Sequence, residues 1–279
     1  MLRKMEKERN KKSSTMTRLL IFKGLAGQFF LSSTPIFGLR ALIFCAFLSG
    51  NELNAQIGSA VQQVIVTQAP GWSSQQAIMQ CFERPHARAP WRPVFKSSIP
   101  VLLGRNGMAW GRGVFAAPNN GVAAKVERDG KAPAGVFRLG RLYGYAARPP
   151  EGTRWPYVQV GQYDAWVDDP RNPYYNQHVR VSPGNIPPWF EKQRMRLGDS
   201  AYKWMVAIDH NTSPAVPGYG SAIFFHVRRG PKTPTAGCTS MAEENLVKVI
   251  RWLRLEASPH YVLLPERDYH ALRAAWGLP

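Results

Sequence analysis

The stretch Ser221-Ala-Ile-Phe-Phe-His226-Val-Arg-Arg-Gly-Pro-Lys-Thr-Pro-Thr-Ala-Gly-Cys238-Thr-Ser-Met241 decides how this chain is read. Ser221 to Val227 is apolar and aromatic enough for a core strand. A basic loop follows, and Gly230, Pro231 and Pro234 are chain breakers that suit a turn. Gly237-Cys238 then stands just before a predicted helix from Ser240 to Arg254. Ser240 and Glu243 have the spacing of a capping box, and Leu246, Ile250 and Leu253 fall on one helical face. Lys248, Arg251 and Arg254 gather toward its C-terminal end, where the helix dipole favours cations.

A thiol in that position has a definite chemistry. Unpaired N–H groups and the positive end of a helix favour the thiolate, which is the nucleophilic form. His226, one loop away, is then a base able to take the proton. Gly237 leaves room for a substrate beside the sulfur, and the backbone around Cys238, from Gly237 to Thr239, offers N–H groups to an oxyanion. Glu243 and Glu244 add negative charge to the helix's first turn, which makes His226 more necessary. On these residues alone a bland alternative stays open. A cysteine before a helix is commonly a small buried hydrophobe, and a strand histidine is commonly structural.

Working outward, Lys203–Asp209 and Tyr261–Leu264 read as further core strands, with Gln62–Thr67 and Ala77–Glu83 toward the N-terminus. In the latter, Ile78, Gln80 and Phe82 share a face, and Cys81 is most simply a packed thiol. Ile99–Leu103 is a short buried strand running into a turn at Gly104-Arg-Asn-Gly107. Gly and Pro recur every ten residues or so as far as residue 190, so short strands and long loops are expected. The fold class is therefore mainly β, with one principal helix after Cys238. Asp209 ends a strand and reads either as an orienting partner for His226 or as a turn residue. Trp166, Asp168, Asp169, Tyr174 and Tyr175 are candidates to line a groove. The paired aspartates lack companion oxygen ligands, so neither metal nor cofactor is expected.

Of the 279 residues, 44% are hydrophobic and 19% charged, which supports a packed core. The net charge is +18. Basic residues crowd the N-terminus (Arg3, Lys4, Lys7, Arg9, Lys11, Lys12, Arg18, Lys23). Apolar runs follow at Gly24–Leu39 and Ala41–Leu48, split by Arg40; neither is the ~20 clean residues a spanning helix needs. Residues 1–55 therefore read as a signal peptide or targeting segment, with a cleavage site at Leu53-Asn54-Ala55 and a start at Met16 or later; the alternative is an uncleaved anchor. The remainder, 56–279, is expected to form one catalytic domain. Residues 1–55 hold nine of the 36 basic and three of the 18 acidic side chains, so that domain keeps a charge of +12. No basic recognition helix, aromatic RNA-binding signature or zinc spacing accompanies the charge, so nucleic acid is not the expected partner. Scattered cations suit an anionic envelope polymer, and the chain is expected in the periplasm or cell envelope.

The stretch from His226 to Thr235-Ala236-Gly237-Cys238 resembles the L,D-transpeptidase catalytic domain (YkuD type), whose signature is an upstream His, a loop and Ser/Thr-x-Gly-Cys. Asp129-Gly-Lys-Ala-Pro-Ala-Gly-Val-Phe137 is similar to the Thr-Pro-x-Gly-x-Phe strand of that family. The resemblance implies a mixed β-sheet sandwich and a cell-wall enzyme acting on peptidoglycan stem peptides. Cys238 would be the nucleophile and His226 the base, with Gly237 and Thr239 as oxyanion or positioning residues. Arg228, Arg229, Thr235 and Asp209 are the substrate-binding candidates. The alternatives are a related hydrolase (carboxypeptidase or endopeptidase) and a non-catalytic wall-binding module. Ala236 stands where many members have a second His, Ser240 where they have Arg or Asn, and Ala132 where they have Thr.

Overall fold

A computed structural model describes residues 56–279. The predicted targeting segment and its cleavage site lie outside the described residues. Within them the chain forms β1 (Gln63–Ala69), β2 (Gln76–Glu83), β3 (Arg92–Pro93), β4 (Ile99–Leu102), β5 (Met108–Trp110), β6 (Ala132–Gly144), β7 (Tyr157–Gln159), β8 (Asp164–Trp166), β9 (His178–Arg180), β10 (Trp204–Ile208), β11 (Phe224–Val227), β12 (Thr239–Met241) and β13 (His260–Pro265). The helices are α1 (Phe190–Gln193), α2 (Glu243–Trp252) and α3 (Glu266–Leu272). The fold is mainly β, as the breaker spacing predicts.

Eleven strands make one mixed sheet in the order β1-β13-β6-β10-β11-β12-β4-β2-β3, with β5 and β7 added beside β6. The sheet curls until β1 and β2 also pair, Val64 opposite Phe82, so its edges are largely consumed. β8 and β9 form a separate ribbon, antiparallel from Asp164↔Arg180 to Trp166↔His178. The main core lies inside the curl, where Phe137, Phe225, Tyr261, Leu246 and Ile250 are almost wholly buried. On β2 the core side is Ala77, Met79 and Cys81, while Ile78 is half exposed.

Period-2 alternation divides the strands that carry the site. β11 pairs in parallel with β12, Phe225 opposite Thr239 and His226 opposite Ser240. Phe225, Val227 and Met241 pack into the main core. Phe224 and Cys238 join a smaller cluster on the other face, with Tyr143, Met195 and Met205. The register therefore puts His226 and Ser240 on that second face beside Cys238.

One expectation fails in an informative way. The residues after Cys238 do not begin a helix at Ser240. They form β12, and α2 starts at Glu243 after Ala242, with no side-chain cap. Pairing against His226 claims Ser240 for the sheet, which overrides the capping-box pattern. The apolar face of α2 is the expected one, burying Leu246, Val249 and Ile250.

Candidate active site

Cys238 and His226 line a single cleft of about 440 Å³, together with Lys125, Glu127, Asp168 and Tyr202. The Cys238 side chain is 9% exposed, and its S–H donates to the Ala222 carbonyl at 3.5 Å. Ala222 itself has a left-handed φ of 54°, and its N–H is held by Asn176 Oδ1 at 3.1 Å. Burial pushes the thiol up to about 11, against the smaller opposing pull of the Phe224 backbone N–H and the Lys125 ammonium. The helix-end contribution expected for Cys238 is absent, because α2 begins five residues on.

His226 is equally buried. Its Nδ1 lies 2.9 Å from the Val227 carbonyl, which can only accept, so Nδ1 carries the proton and Nε2 is the free acceptor. Burial holds the imidazole below its ordinary pKa, and the Arg229 guanidinium acts in the same direction while the Val227 hydrogen bond opposes it. At neutral pH the cleft thus holds a neutral thiol and a neutral imidazole. Tyr202 packs over the imidazole, ring centres 5.2 Å apart. Arg229 lies 5.3 Å from the Tyr202 ring and pairs with Asp199 at 2.6 Å.

A tight turn fixes the sulfur. Thr235 Oγ1 donates to the Cys238 carbonyl at 2.6 Å and accepts from the Gly237 N–H at 3.0 Å. The Thr235 backbone is tied to Leu103 and Arg105 at 2.8 and 2.9 Å. Gly237 has φ of 152°, and a Cβ there would stand 2.9 Å from the Lys131 carbonyl oxygen. Only glycine fits both constraints.

The model of the L,D-transpeptidase catalytic domain (YkuD type) matches residues 77–262. The chain belongs to that family. The match takes in both motif stretches, Asp129–Phe137 and His226–Cys238, and the strands between them. No curated protein and no solved structure matches the chain.

Seen as a member of the family, the chain departs from several sequence expectations. Thr239 is 1% exposed and turns its hydroxyl to Tyr261 OH at 2.9 Å, inside the core and away from the cleft. The Gly237 N–H is already spent on Thr235, and the Thr235 hydroxyl is spent within the turn, so both hold the loop together. Arg228 follows the end of β11 and lines a separate pocket with Ile78 and Pro100. Asp209 is also elsewhere, in a pocket with Arg112 and Arg138. Burial raises its carboxyl to about 6, partly offset by Arg138. His226 is oriented by Val227 instead. Arg229 is the one loop cation of the predicted set that lines the cleft.

Of the groove candidates, Asp168 lines the cleft and Trp166 the pocket beside it. Tyr174 is exposed, whereas Tyr175 OH donates to Glu127. Among the described residues no cluster of three or more His, Cys, Asp or Glu is placed to hold a metal.

Sequence reasoning missed Lys125, Glu127, Tyr202 and Asn176. Asn176 is 5% exposed and donates to the His210 and Asn211 carbonyls at 2.9 and 2.7 Å, while its oxygen accepts from Trp166 and Ala222. It braces the strand leading to the cleft. A Lys, Glu or Asn in a loop carries no periodicity, so no local signal marked these residues.

Proposed function

We propose that this cell-wall family member is a peptidoglycan L,D-transpeptidase with Cys238 as nucleophile and His226 as general base. The observation that carries the reading is a thiol just before β12 and an unprotonated imidazole nitrogen on the neighbouring β11, both lining one cleft. In the proposed step the Cys238 proton passes to His226 Nε2 as sulfur attacks the carbonyl following the L-centre of a tetrapeptide stem. The C–N bond to the terminal D-residue breaks, and His226 returns the proton to the leaving amine. The resulting thioester passes its acyl group to an amine of a neighbouring stem, whose proton goes back through His226, and the thiol is restored. Stem peptides are the partners, and no cofactor enters the scheme.

The same reading puts the mature chain in the periplasm or envelope, beginning near Gln56. N-terminal sequencing of the exported form tests this, and intact residues 1–55 on a cytoplasmic protein would overturn it. Incubation of residues 56–279 with purified tetrapeptide muropeptides, with products read by mass, tests the chemistry. Crosslinked dimers support transpeptidation, and shortened monomers support the hydrolase. A non-catalytic wall-binding module has one observation in its favour, the buried thiol held near 11; it predicts retention on sacculi with no product.

A further inference from the structure

Lys125 is 3% exposed, an unusual position for an ammonium. Its Nζ donates to Asp129 Oδ1 at 2.7 Å and to the Val126 carbonyl at 3.3 Å. An ammonium has three N–H donors, so one remains without a protein acceptor. Asp129 is itself held in place, accepting from the Val126 and Lys131 backbone N–H groups at 3.0 and 2.8 Å. Burial raises its carboxyl, but these contacts and Lys125 outweigh that and hold it below the usual carboxylate range.

Glycines make the space for this lysine. A Cβ on Gly220, where φ is 91°, would stand 2.9 Å from Lys125 Cε. A Cβ on Gly237 would stand 3.7 Å from Nζ itself. The ammonium therefore rests against the residue that precedes Cys238, within the wall of the cleft. The other titratable groups lining the cleft are Glu127, Arg128, Asp168, Tyr202, His226 and Arg229. Lys125 and His210 both close around Gly220, and the His210 imidazole is pushed down to about 4 by burial first and by Lys125 among the lesser causes.

We propose that Lys125, locked by Asp129, supplies the fixed positive charge that stabilises the anion formed at Cys238, in the place where a helix terminus is missing. The proposal rests on Cys238 being the nucleophile. When the Cys238 proton moves to His226 Nε2, sulfur gains a negative charge and Lys125 stays protonated throughout. An opposite charge in the wall of the same cleft favours the charged form of a thiol. Lys125 is a positioning residue in this scheme, since it acts through the sulfur's charge.

The test is the pH dependence of Cys238 alkylation by iodoacetamide, followed by peptide mass in residues 56–279. Lys125→Met removes the charge at similar length. Lys125→Met/Asp129→Asn removes both charges and keeps the fold testable if the single variant unfolds. In either variant the midpoint for thiol reactivity should rise by about one pH unit, making alkylation below it about tenfold slower, whereas Lys125→Arg should stay within about threefold of the parent. An unshifted midpoint in a variant that melts like the parent would overturn the proposal. So would an unshifted midpoint with a raised KM for stem peptide, which would make Lys125 a substrate-binding residue. If the folded parent never alkylates at Cys238, this proposal and the enzymatic reading both fall. If the shift is present but muropeptides yield no product, only the enzymatic reading falls.

Discussion

Replacing Gly237 by Ala isolates the geometry that presents the sulfur, because it changes one methyl group and no charge. The φ of 152° belongs to a region that L-residues rarely occupy, at a cost of about 1–3 kcal/mol. The added Cβ would meet the Lys131 backbone oxygen at 2.9 Å and Ile223 Cδ1 at 3.3 Å. The isoleucine can shift, but the carbonyl sits where β6 begins and cannot move cheaply. Strain and contact together are worth about 2–4 kcal/mol, a sizeable share of a domain's 5–15 kcal/mol. Melting should fall by about 5–15 °C. The turn has a second way to relieve the strain, by swinging Cys238 out and breaking the 3.0 Å bond from Gly237 N–H to Thr235. Iodoacetamide should then reach the thiol faster while turnover of stem peptides drops. Urea denaturation and timed alkylation read the two effects separately. Parental stability and turnover in Gly237→Ala would refute the argument that the turn fixes the nucleophile.

The remaining expectations are shorter. Cys238→Ala should abolish muropeptide turnover, while Cys81→Ala should leave it within about threefold, since Cys81 is packed at 0% exposure between the strands; mass analysis of products decides. His226→Ala should lower turnover by about 10²- to 10⁴-fold, the usual worth of a positioned base, and an unchanged rate would remove His226 from the chemistry. Asp209 has a folded pKa of about 6, raised above the ordinary 3.8. The stability it contributes is thus present below the lower value and lost as pH rises through the upper one. Asp209→Asn should flatten the fall in melting temperature between about pH 4 and 6 and stabilise the domain at pH 7 by up to about 3 kcal/mol. Thr239→Val should cost about 1–3 kcal/mol through the lost contact with buried Tyr261 and leave Cys238 alkylation unchanged; altered alkylation would contradict the division of β12 into two faces.

The sequence carried the strands well where burial on one face writes a pattern. Lys203–Asp209 became β10, Ser221–Val227 contains β11, and Ile99–Leu103 contains β4. The longest strand, β6, was legible only as the motif at its start, because Arg138 and Arg141 break the apolar run on its exposed side. Cys238 and His226 were legible as a pair because one loop joins them. What failed was the inference from Ser240 and Glu243. Capping spacing is local, whereas Ser240 is taken by a long-range pairing with His226 that no local pattern reveals. Asp209 and Arg228 failed for a related reason. Both are close to the site in sequence, but each stands just past the end of its strand, β10 or β11, and lines another pocket further along. Lys125 lies more than a hundred residues from Cys238, and only the curled sheet brings them together.

The two neutral groups in the cleft limit how the thiol can react. With the thiol near 11 and the imidazole below its ordinary 6.5, moving the proton to His226 before anything else happens is uphill. A standing thiolate–imidazolium pair is therefore a minor species, and the resting sulfur is a poor target for oxidants, which attack the thiolate. In the proposed reaction a substrate changes this balance. As the S–C bond forms, charge leaves sulfur for the carbonyl oxygen, so the proton can transfer without a free thiolate having to persist. The burial that raises the thiol would thus make the proposed chemistry conditional on a filled cleft. A fixed cation such as Lys125 lowers the remaining barrier without exposing the sulfur to water, which a wider cleft would not do.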